Sequence, residues 1–430
     1  MMNYHEFIHW LEEVPLYGHK DGTNNIRKLM ERFGNPQQTF RVIHVAGTNG
    51  KGSCCAMLSS VLTRSGYRTG LFTSPHLVDY TERIQIDRNP IPREEFVRLG
   101  LMVKAEIEKM VAEGENHCTF FEILTAIGFL YFAAQQTDIV VLETGVGGRL
   151  DATNIVETPA LMLTLITSIS LDHTKVLGDT RELIAAEKAG ILRSGVPIVL
   201  SINTPGVQKV VEDKAKELGC EYIYAGDMDF MDPRRFDSRG IRYAVPLEGD
   251  YQAENLTSVL ACLDLLSGML PEGRLTDETI REGLLSTSWP GRMERRIFEG
   301  KPLLLDGAHN PDGASKLAGY LGKSCPKNSV TLVFSALGKK DVSGILGLLR
   351  DCPAVRKAIF TRIHGEVNED RFISIWQEGK GHKPFETVPE PLEALKHAAA
   401  EIETDLVVCA GSLYLIGEIM EKTEAGGSDV

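Results

Sequence analysis

Residues 41–58 read RVIHVAGTNGKGSCCAML, and this stretch decides the fold. Val42, Ile43 and Val45 form a β-branched run with the length of a buried strand. Gly47, Gly50 and Gly52 break the run, and helical composition follows from Lys51 to about Arg64. A strand, a glycine loop and a helix in that order make a phosphate cradle. The glycines let backbone N–H groups turn inward, and the helix N-terminus adds positive potential. A Walker A loop needs glycine, four residues, then Gly-Lys-Ser/Thr. Here Val45 stands where the first glycine belongs, and Gly52 separates Lys51 from Ser53. Lys51 suits phosphate oxygens and Ser53 suits a bound Mg²⁺. An ordinary tight βα turn needs neither the lysine nor the hydroxyl.

Outward from that loop, the chain has 430 residues, too many for one ordinary core, so two domains are expected. A net charge of −13, from 46 basic and 59 acidic residues, argues against a general nucleic-acid binder. The eight cysteines form no CxxC pair and no zinc spacing, so they read as buried, reduced thiols. MMNYHEFIHWLEEV at the start is amphipathic and acidic, unlike a signal peptide. The longest apolar run, PALMLTLI, is too short to span a bilayer. The expectation is a cytoplasmic, monomeric protein with small-molecule substrates and no nucleic-acid or membrane partner.

Strand and helix patterns alternate as βαβ units. RTGLFTS, TDIVVLETG, PALMLTLITSI and VPIVLS read as strands. EEFVRLGLMVKAEIEKMVAEG and FFEILTAIGFLYFAAQ read as helices, as does TRELIAAEKAGILRSG from a Thr180 cap to a Gly195 stop. Around 222–250 the pattern weakens toward a small antiparallel insertion. At STSWPGRMERR, 286–296, Pro290 and Gly291 break structure and the rhythm restarts. PLLLDGAHN, SVTLVFSALG, VRKAIFTRI and DLVVCAGSLY then read as four strands, and EKTEAGGSDV as a polar tail. The expected fold class is α/β. An N-terminal P-loop-type, mostly parallel sheet domain with helices on both faces precedes a smaller C-terminal Rossmann-like α/β domain. The expected boundaries are 1–288, a linker at 289–295, and 296–430.

Several other stretches carry candidate chemistry. Glu143 ends a buried strand in LETGVGGRLDATN, at the sheet edge where open α/β sheets bind ligands. A carboxylate there suits Mg²⁺ beside phosphates, with Arg149, Asp151 and Asn154 crowding the same loop. His173 in LDHTKVLG suits metal or substrate by its place after a strand. Lys188 in AAEKAGI reads by itself as a surface lysine paired with a glutamate. Ser74 to Arg83 read as a substrate lid or a plain connection. Arg292 is a linker charge that either swings onto phosphates or stays solvated, and Asp306 orients a ribose or phosphates or caps a helix.

Taken in order, GTNGKGS, SPHL…ERI, FFEILT, LETGVGGRLDATN, LDHTKVLG, AAEKAGI, WPGRME, LDGAHNPDG, FSALGKKD and AGSLY resemble the folylpolyglutamate synthase/dihydrofolate synthase group of the Mur ligase family. The resemblance implies an ATP-dependent ligase. ATP phosphorylates a substrate carboxylate, and the α-amine of L-glutamate displaces phosphate from the acyl phosphate. The carboxylate belongs to dihydropteroate or a folate. Matched motif by motif, it implies that Gly47, Thr48, Asn49, Gly50, Lys51, Gly52 and Ser53 cradle the triphosphate. Ser74, Glu143 and His173 hold Mg²⁺, and Lys188 matches the family's carbamylated lysine. Asn255, Arg292 and Asp306 meet ATP. Phe120, Phe121 and Glu122 match the pterin-binding stretch, with Arg83 and Asp151 also toward substrate. His309 and Ser412 lie where glutamate is expected. Lys51, Lys188 and His309 are the catalytic candidates, with His309 a candidate base for the amine.

Two other readings share the loop. A P-loop switch or transport ATPase predicts a Walker B aspartate, where this strand ends in Glu143. A Mur-type UDP-muramyl peptide ligase predicts a further N-terminal domain, where about 40 residues precede the loop.

Overall fold

β1 (Arg41–Ala46) is the strand read from RVIHVAG, and every residue after Arg41 in it is buried. The computed structural model describes residues 2–15, 22–227, 236–238, 241–338, 340–363, 368–378 and 383–425. β1 lies inside an eight-stranded sheet of order β4-β3-β2-β5-β1-β6-β7-β8. Its other members are β2 (Thr69–Phe72), β3 (Ile84–Ile86), β4 (Asn89–Pro90), β5 (Ile139–Glu143), β6 (Leu161–Ile166), β7 (Ile198–Leu200) and β8 (Tyr222–Tyr224). All pairings from β2 to β8 are parallel, while the β3–β4 edge runs antiparallel. That edge is absent from the sequence reading because strands of three and two residues carry no periodicity.

The helices of this region are α1 (Tyr4–Glu13), α2 (Asn24–Arg32), α3 (Lys51–Arg64), α4 (Arg93–Ala112), α5 (Phe120–Ala134), α6 (Thr174–Leu177), α7 (Arg181–Ala189), α8 (Pro205–Glu217), α9 (Tyr251–Met269) and α10 (Asp277–Leu285). Alternate strand residues serve opposite faces of the sheet. Val42, Val140 and Leu142 share a core with Phe129 and Phe132 of α5. Ile43, Val45 and Val141 are buried on the other face, where α3 packs on β1, β2 and β5. A short antiparallel pair, β9 (Phe236–Ser238) with β10 (Ile241–Tyr243), occupies part of the expected insertion; residues 228–235 and 239–240 lie outside the described residues.

A second sheet has six strands in the order β11-β12-β16-β13-β14-β15. They are β11 (Glu294–Phe298), β12 (Lys301–Asp306), β13 (Val330–Phe334), β14 (Val355–Phe360), β15 (Phe385–Thr387) and β16 (Leu406–Ala410). The four strands expected from sequence form its parallel centre. The two edges are additional. β11 pairs antiparallel, and its ERRIF alternates half-buried with exposed residues, as an edge strand does. Helices α11 (Pro311–Ser324), α12 (Val342–Asp351) and α13 (Glu369–Gln377) pack on one face. α14 (Pro391–Ala400) and α15 (Leu413–Ala425) pack on the other, and residues 426–430 of the expected tail lie outside the described residues.

The chain forms two compact units. One comprises Met1–His76, Tyr80–Pro246 and Gln252–Ser288; the other comprises Leu77–Asp79, Leu247–Tyr251 and Trp289–Val430. Residues 289–295, read as a linker, lie within the second unit. Met293 is buried in its core, and Arg292 donates to the Gly307 carbonyl oxygen at 3.2 Å. Helix α7 ends at Ala189, short of the expected Gly195 stop, because Asn154 Nδ2 donates to the Gly190 carbonyl oxygen at 3.0 Å and caps the chain there. Among the described residues, no helix is long and apolar enough to cross a membrane.

Asn310 caps α11, its Oδ1 accepting the Gly313 N–H at 2.9 Å. Replacing a capping side chain leaves an orphan amide, so Asn310→Ala should cost about 1 kcal/mol. A fall in the urea midpoint without a change in slope checks this.

Candidate active site

Gly50 adopts φ +88° at the start of α3, a backbone state open to glycine but costly for other residues. Because it stands at the N-cap without a side chain, the helix has no side-chain cap. The amides of Lys51, Gly52 and Ser53 therefore head the helix as the bare donors of its first turn. The rest of the loop is turned the other way. The N–H groups of Thr48 and Asn49 donate to the Ser168 carbonyl oxygen at 2.8 and 3.4 Å, and Thr48 Oγ1 exchanges bonds with the Ser170 backbone at 3.2 Å. The segment leaving β6, which leads to His173, is thereby fastened to the phosphate loop.

Around the bare helix end lie three charged groups. Lys51 Nζ is 3.8 Å from Glu143 Oε1, and Glu143 Oε2 accepts the Ser74 N–H at 3.1 Å. Lys188 is 3% exposed and donates from Nζ to the Gly47 carbonyl oxygen at 2.6 Å. It is thus a buried partner of the loop rather than the surface lysine its local sequence suggests. Burial first, and the nearby Lys51 charge second, lower its pKa to about 7. His173 starts α6 in the left-handed region at φ 50°, with Asp172 Oδ1 3.9 Å from its Nε2. Among the described residues no three His, Cys, Asp or Glu side chains converge as a metal cage. The Glu143 carboxylate, held by the Ser74 N–H, is a hard oxygen donor, which suits Mg²⁺ completed by phosphate and water rather than an all-protein cage.

Asn255 on α9 packs against Gly50, where a Cβ would collide with its Oδ1. Gln252, which the sequence reading passed over, orients it. Gln252 Oε1 accepts from Asn255 Nδ2 at 2.8 Å, and Gln252 Nε2 donates to Ser53 Oγ at 3.4 Å. No sequence signal separates this glutamine from the other polar residues of the helix.

The residues expected at the substrate divide. Arg83 is buried, donates from Nε to His76 Nδ1 at 2.8 Å, and lies over the rings of Tyr80 and Phe120 at 5.8 and 5.7 Å. Phe121 faces Phe72 and the Gly145 turn. Glu122 points elsewhere. Its Oε2 accepts the Thr119 N–H at 2.7 Å, closing a capping box at the start of α5, and burial raises its carboxyl above the usual range. The Thr-x-x-Glu spacing carries that signal. Asp151 is likewise taken up internally. Its Oδ2 accepts the N–H groups of Gly145 and Val146 at 2.9 Å each, and its Oδ1 accepts the Thr153 N–H at 3.0 Å and hydroxyl at 2.5 Å. Burial raises its carboxyl while those donors pull against the shift. Asp151 is the post of the glycine turn after Glu143.

In the second unit, Asp306 ends β12 and accepts the Met293 and Ala308 N–H groups at 3.0 Å each; Asn310, not Asp306, caps the following helix. Burial raises the Asp306 carboxyl and the nearby Arg292 opposes that. His309 Nδ1 lies 2.8 Å from the Gly307 carbonyl oxygen, which only accepts, so Nδ1 carries the proton. Ser412 is buried, and its Oγ accepts the Tyr414 N–H at 3.1 Å. All eight cysteines are free; Cys54 and Cys55 are buried packing residues of α3, while Cys220 and Cys325 are half-buried.

A strand running through a glycine loop into an uncapped helix, with a second and smaller doubly wound sheet, defines a P-loop-type α/β protein. The comparisons with known proteins narrow that class. Residues 294–422 match the family described as dihydrofolate synthetase, C-terminal domain. The Bacillus subtilis dihydrofolate synthase/folylpolyglutamate synthase is 33% identical over 435 residues, which cover 97% of this chain and 99% of that protein. The structure of Mycobacterium tuberculosis folylpolyglutamate synthase complexed with ADP and AMPPCP matches at TM-score 0.85 and 30% identity, over 99% of this chain and 98% of that one. Escherichia coli FolC in complex with DHPP and ADP matches at TM-score 0.86 and 29% identity, over 99% of both chains. This chain belongs to the dihydrofolate synthase/folylpolyglutamate synthase family.

Asp151→Asn places an amide NH₂ against one of two donor pairs and removes the buried charge they solvate. Stability should fall by about 2–3 kcal/mol. Chemical denaturation checks this, and an unchanged midpoint would contradict the bonding described for the turn.

Proposed function

We propose that the protein is an ATP-dependent ligase that adds L-glutamate to a folate polyglutamate chain, to dihydropteroate, or to both, through an acyl phosphate. One observation carries the reading: the bare amides of the α3 N-terminus and the Lys51 ammonium, 3.8 Å from the buried Glu143 carboxylate, head the glycine loop, whose Gly47 carbonyl oxygen is held by buried Lys188. Those amides and the Lys51 ammonium suit a triphosphate. The same arrangement matches a family whose relatives are named for this chemistry. The family loop GxxGKG[ST] corresponds to Gly47–Ser53.

In this reading the amides of Lys51, Gly52 and Ser53 and the Lys51 ammonium hold the phosphates. Transfer brings two anions together, and these donors offset the repulsion and the developing charge. Glu143, Ser74 and His173 would hold Mg²⁺, which when bound supplies further charge neutralisation. Asn255, Arg292 and Asp306 match the family's ATP-contacting positions. Asp306 acts by holding the Met293 and Ala308 backbone. Phe120, Phe121 and Arg83 form the pterin side, with Glu122 and Asp151 supporting it from their helix cap and turn. Ser412 and His309 serve glutamate. With its Nδ1 against the Gly307 carbonyl oxygen, His309 is the candidate base for the amine.

Lys188 is the proposed carbamate. A buried lysine with its pKa near 7 is half neutral at neutral pH, and only the neutral amine adds CO₂. The nitrogen lone pair forms the N–C bond and one proton leaves, so the carbamate gains a negative charge. Acid opposes this twice, by protonating the amine and by reversing the proton release.

Incubation with MgATP, L-glutamate and, separately, dihydropteroate or tetrahydrofolate should release phosphate in at least one arm. No stimulation by either pterin would refute the reading, and the responding arm identifies the acceptor. Lys51→Ala should lower turnover roughly a hundredfold. In CO₂-depleted buffer activity should fall, most steeply below pH 7, and return with bicarbonate. A ¹³C carbamate signal from labelled bicarbonate should be present in the parent protein and missing in Lys188→Arg.

A further inference from the structure

His44 lies on β1, three residues before Gly47, and is fully buried outside the phosphate loop. Its Nε2 sits 2.8 Å from Thr153 Oγ1. Thr153 Oγ1 is bonded in turn to Asp151 Oδ1, whose partner oxygen holds the Gly145 and Val146 amides. Chemistry sets the direction of these bonds. Asp151 accepts three backbone N–H groups and acts as an acceptor throughout, so the Thr153 hydroxyl proton points at Oδ1. The Thr153 oxygen must then accept, and His44 must carry its proton on Nε2. Burial and the nearby Arg193 charge lower the imidazole pKa to about 3, so the ring stays neutral.

Beyond Asp151 the turn rests on α7. A Cβ at Gly148 would lie 2.8 Å from the carbonyl oxygens of both Glu187 and Lys188, and the Arg149 N–H donates to the Glu187 oxygen at 2.8 Å. From that same stretch Lys188 Nζ reaches back to the Gly47 carbonyl oxygen. The contacts close a ring: β1, Thr153, Asp151, the glycine turn, Lys188, and the loop that β1 feeds.

We propose that His44 is a positioning residue which, through its directed bonds to Thr153 and Asp151, sets where Lys188 meets the phosphate loop. It acts without touching nucleotide. The proposal rests on reading Gly47–Ser53 as the ATP cradle and adds to it a proton donor on the strand beneath.

The test has two independent arms. In the unmodified protein, ¹⁵N NMR should find the His44 ring protonated on Nε2; a proton on Nδ1 overturns the proposal whatever the activity. Thr153→Val should speed hydrogen exchange at the Gly145 and Val146 amides and lower kcat about tenfold, with the KM for the pterin substrate within about twofold. Thr153→Ser and His44→Gln, which keep the hydroxyl and an equivalent N–H, should recover to within about threefold, while His44→Leu should not. The double variant Thr153→Val/His44→Leu should lose no more than the worse single one. Unchanged kcat in Thr153→Val, or additive losses in the double variant, overturns the relay. If Thr153→Val does not fold, the His44→Gln and His44→Leu pair carries the same comparison. Absence of ATP-dependent ligation in the parent protein refutes the ATP reading instead, and the ring proton and amide exchange still decide the relay.

Discussion

Positive charge gathered at the head of α3 is the constraint on which the site depends. Three amides of the first turn lack a side-chain cap, Lys51 Nζ donates to the Thr48 carbonyl oxygen at 3.3 Å, and buried Lys188 donates to that of Gly47. Glu143 is the carboxylate that Lys51 meets, at 3.8 Å. The Lys51 charge helps hold Lys188 near neutrality, so the protein carries an electrostatic cost there before any ligand arrives. An anion would relieve that cost, and in the proposed function the phosphates of ATP are that anion.

Holding such a site open requires rigid backbone, and the surrounding loops supply it with buried polar side chains bonded to backbone groups. Ser168 and Ser170 take the Thr48 and Asn49 groups that face away from the ligand side. Asp151 holds the Gly145 turn, Gln252 holds Asn255, and Asp306 does for the second unit what Asp151 does for the first. In both carboxylates burial raises the pKa and donated hydrogen bonds resist it, so each works as a fixed acceptor rather than as a reagent.

Much of this was legible beforehand. The strand–loop–helix order, the parallel centres of both sheets and the sheet-edge position of Glu143 follow from periodicity and glycine placement. Short edges such as β3, β4 and β15 were not legible, because two or three residues show no period. Lys188 was misread from its helix alone: an exposed and a buried lysine have the same neighbours in sequence, and only packing against Gly47 separates them. Glu122 carried two signals. Its capping-box spacing was present in the sequence, while the resemblance pointed toward substrate.

By itself the sequence determined which residues can change charge, which backbone positions must bend, and where strands give way to helices, since these depend on residue type and local spacing. Tertiary structure decided which of those groups are reagents and which are supports. That distinction depends on burial and on partners far apart in the chain: His44 with Thr153, Lys188 with Gly47, Gln252 with Ser53. A hydrogen bond between strands and loops a hundred residues apart leaves no periodic trace, yet it fixes where groups such as Lys188 and Gln252 sit at the phosphate loop.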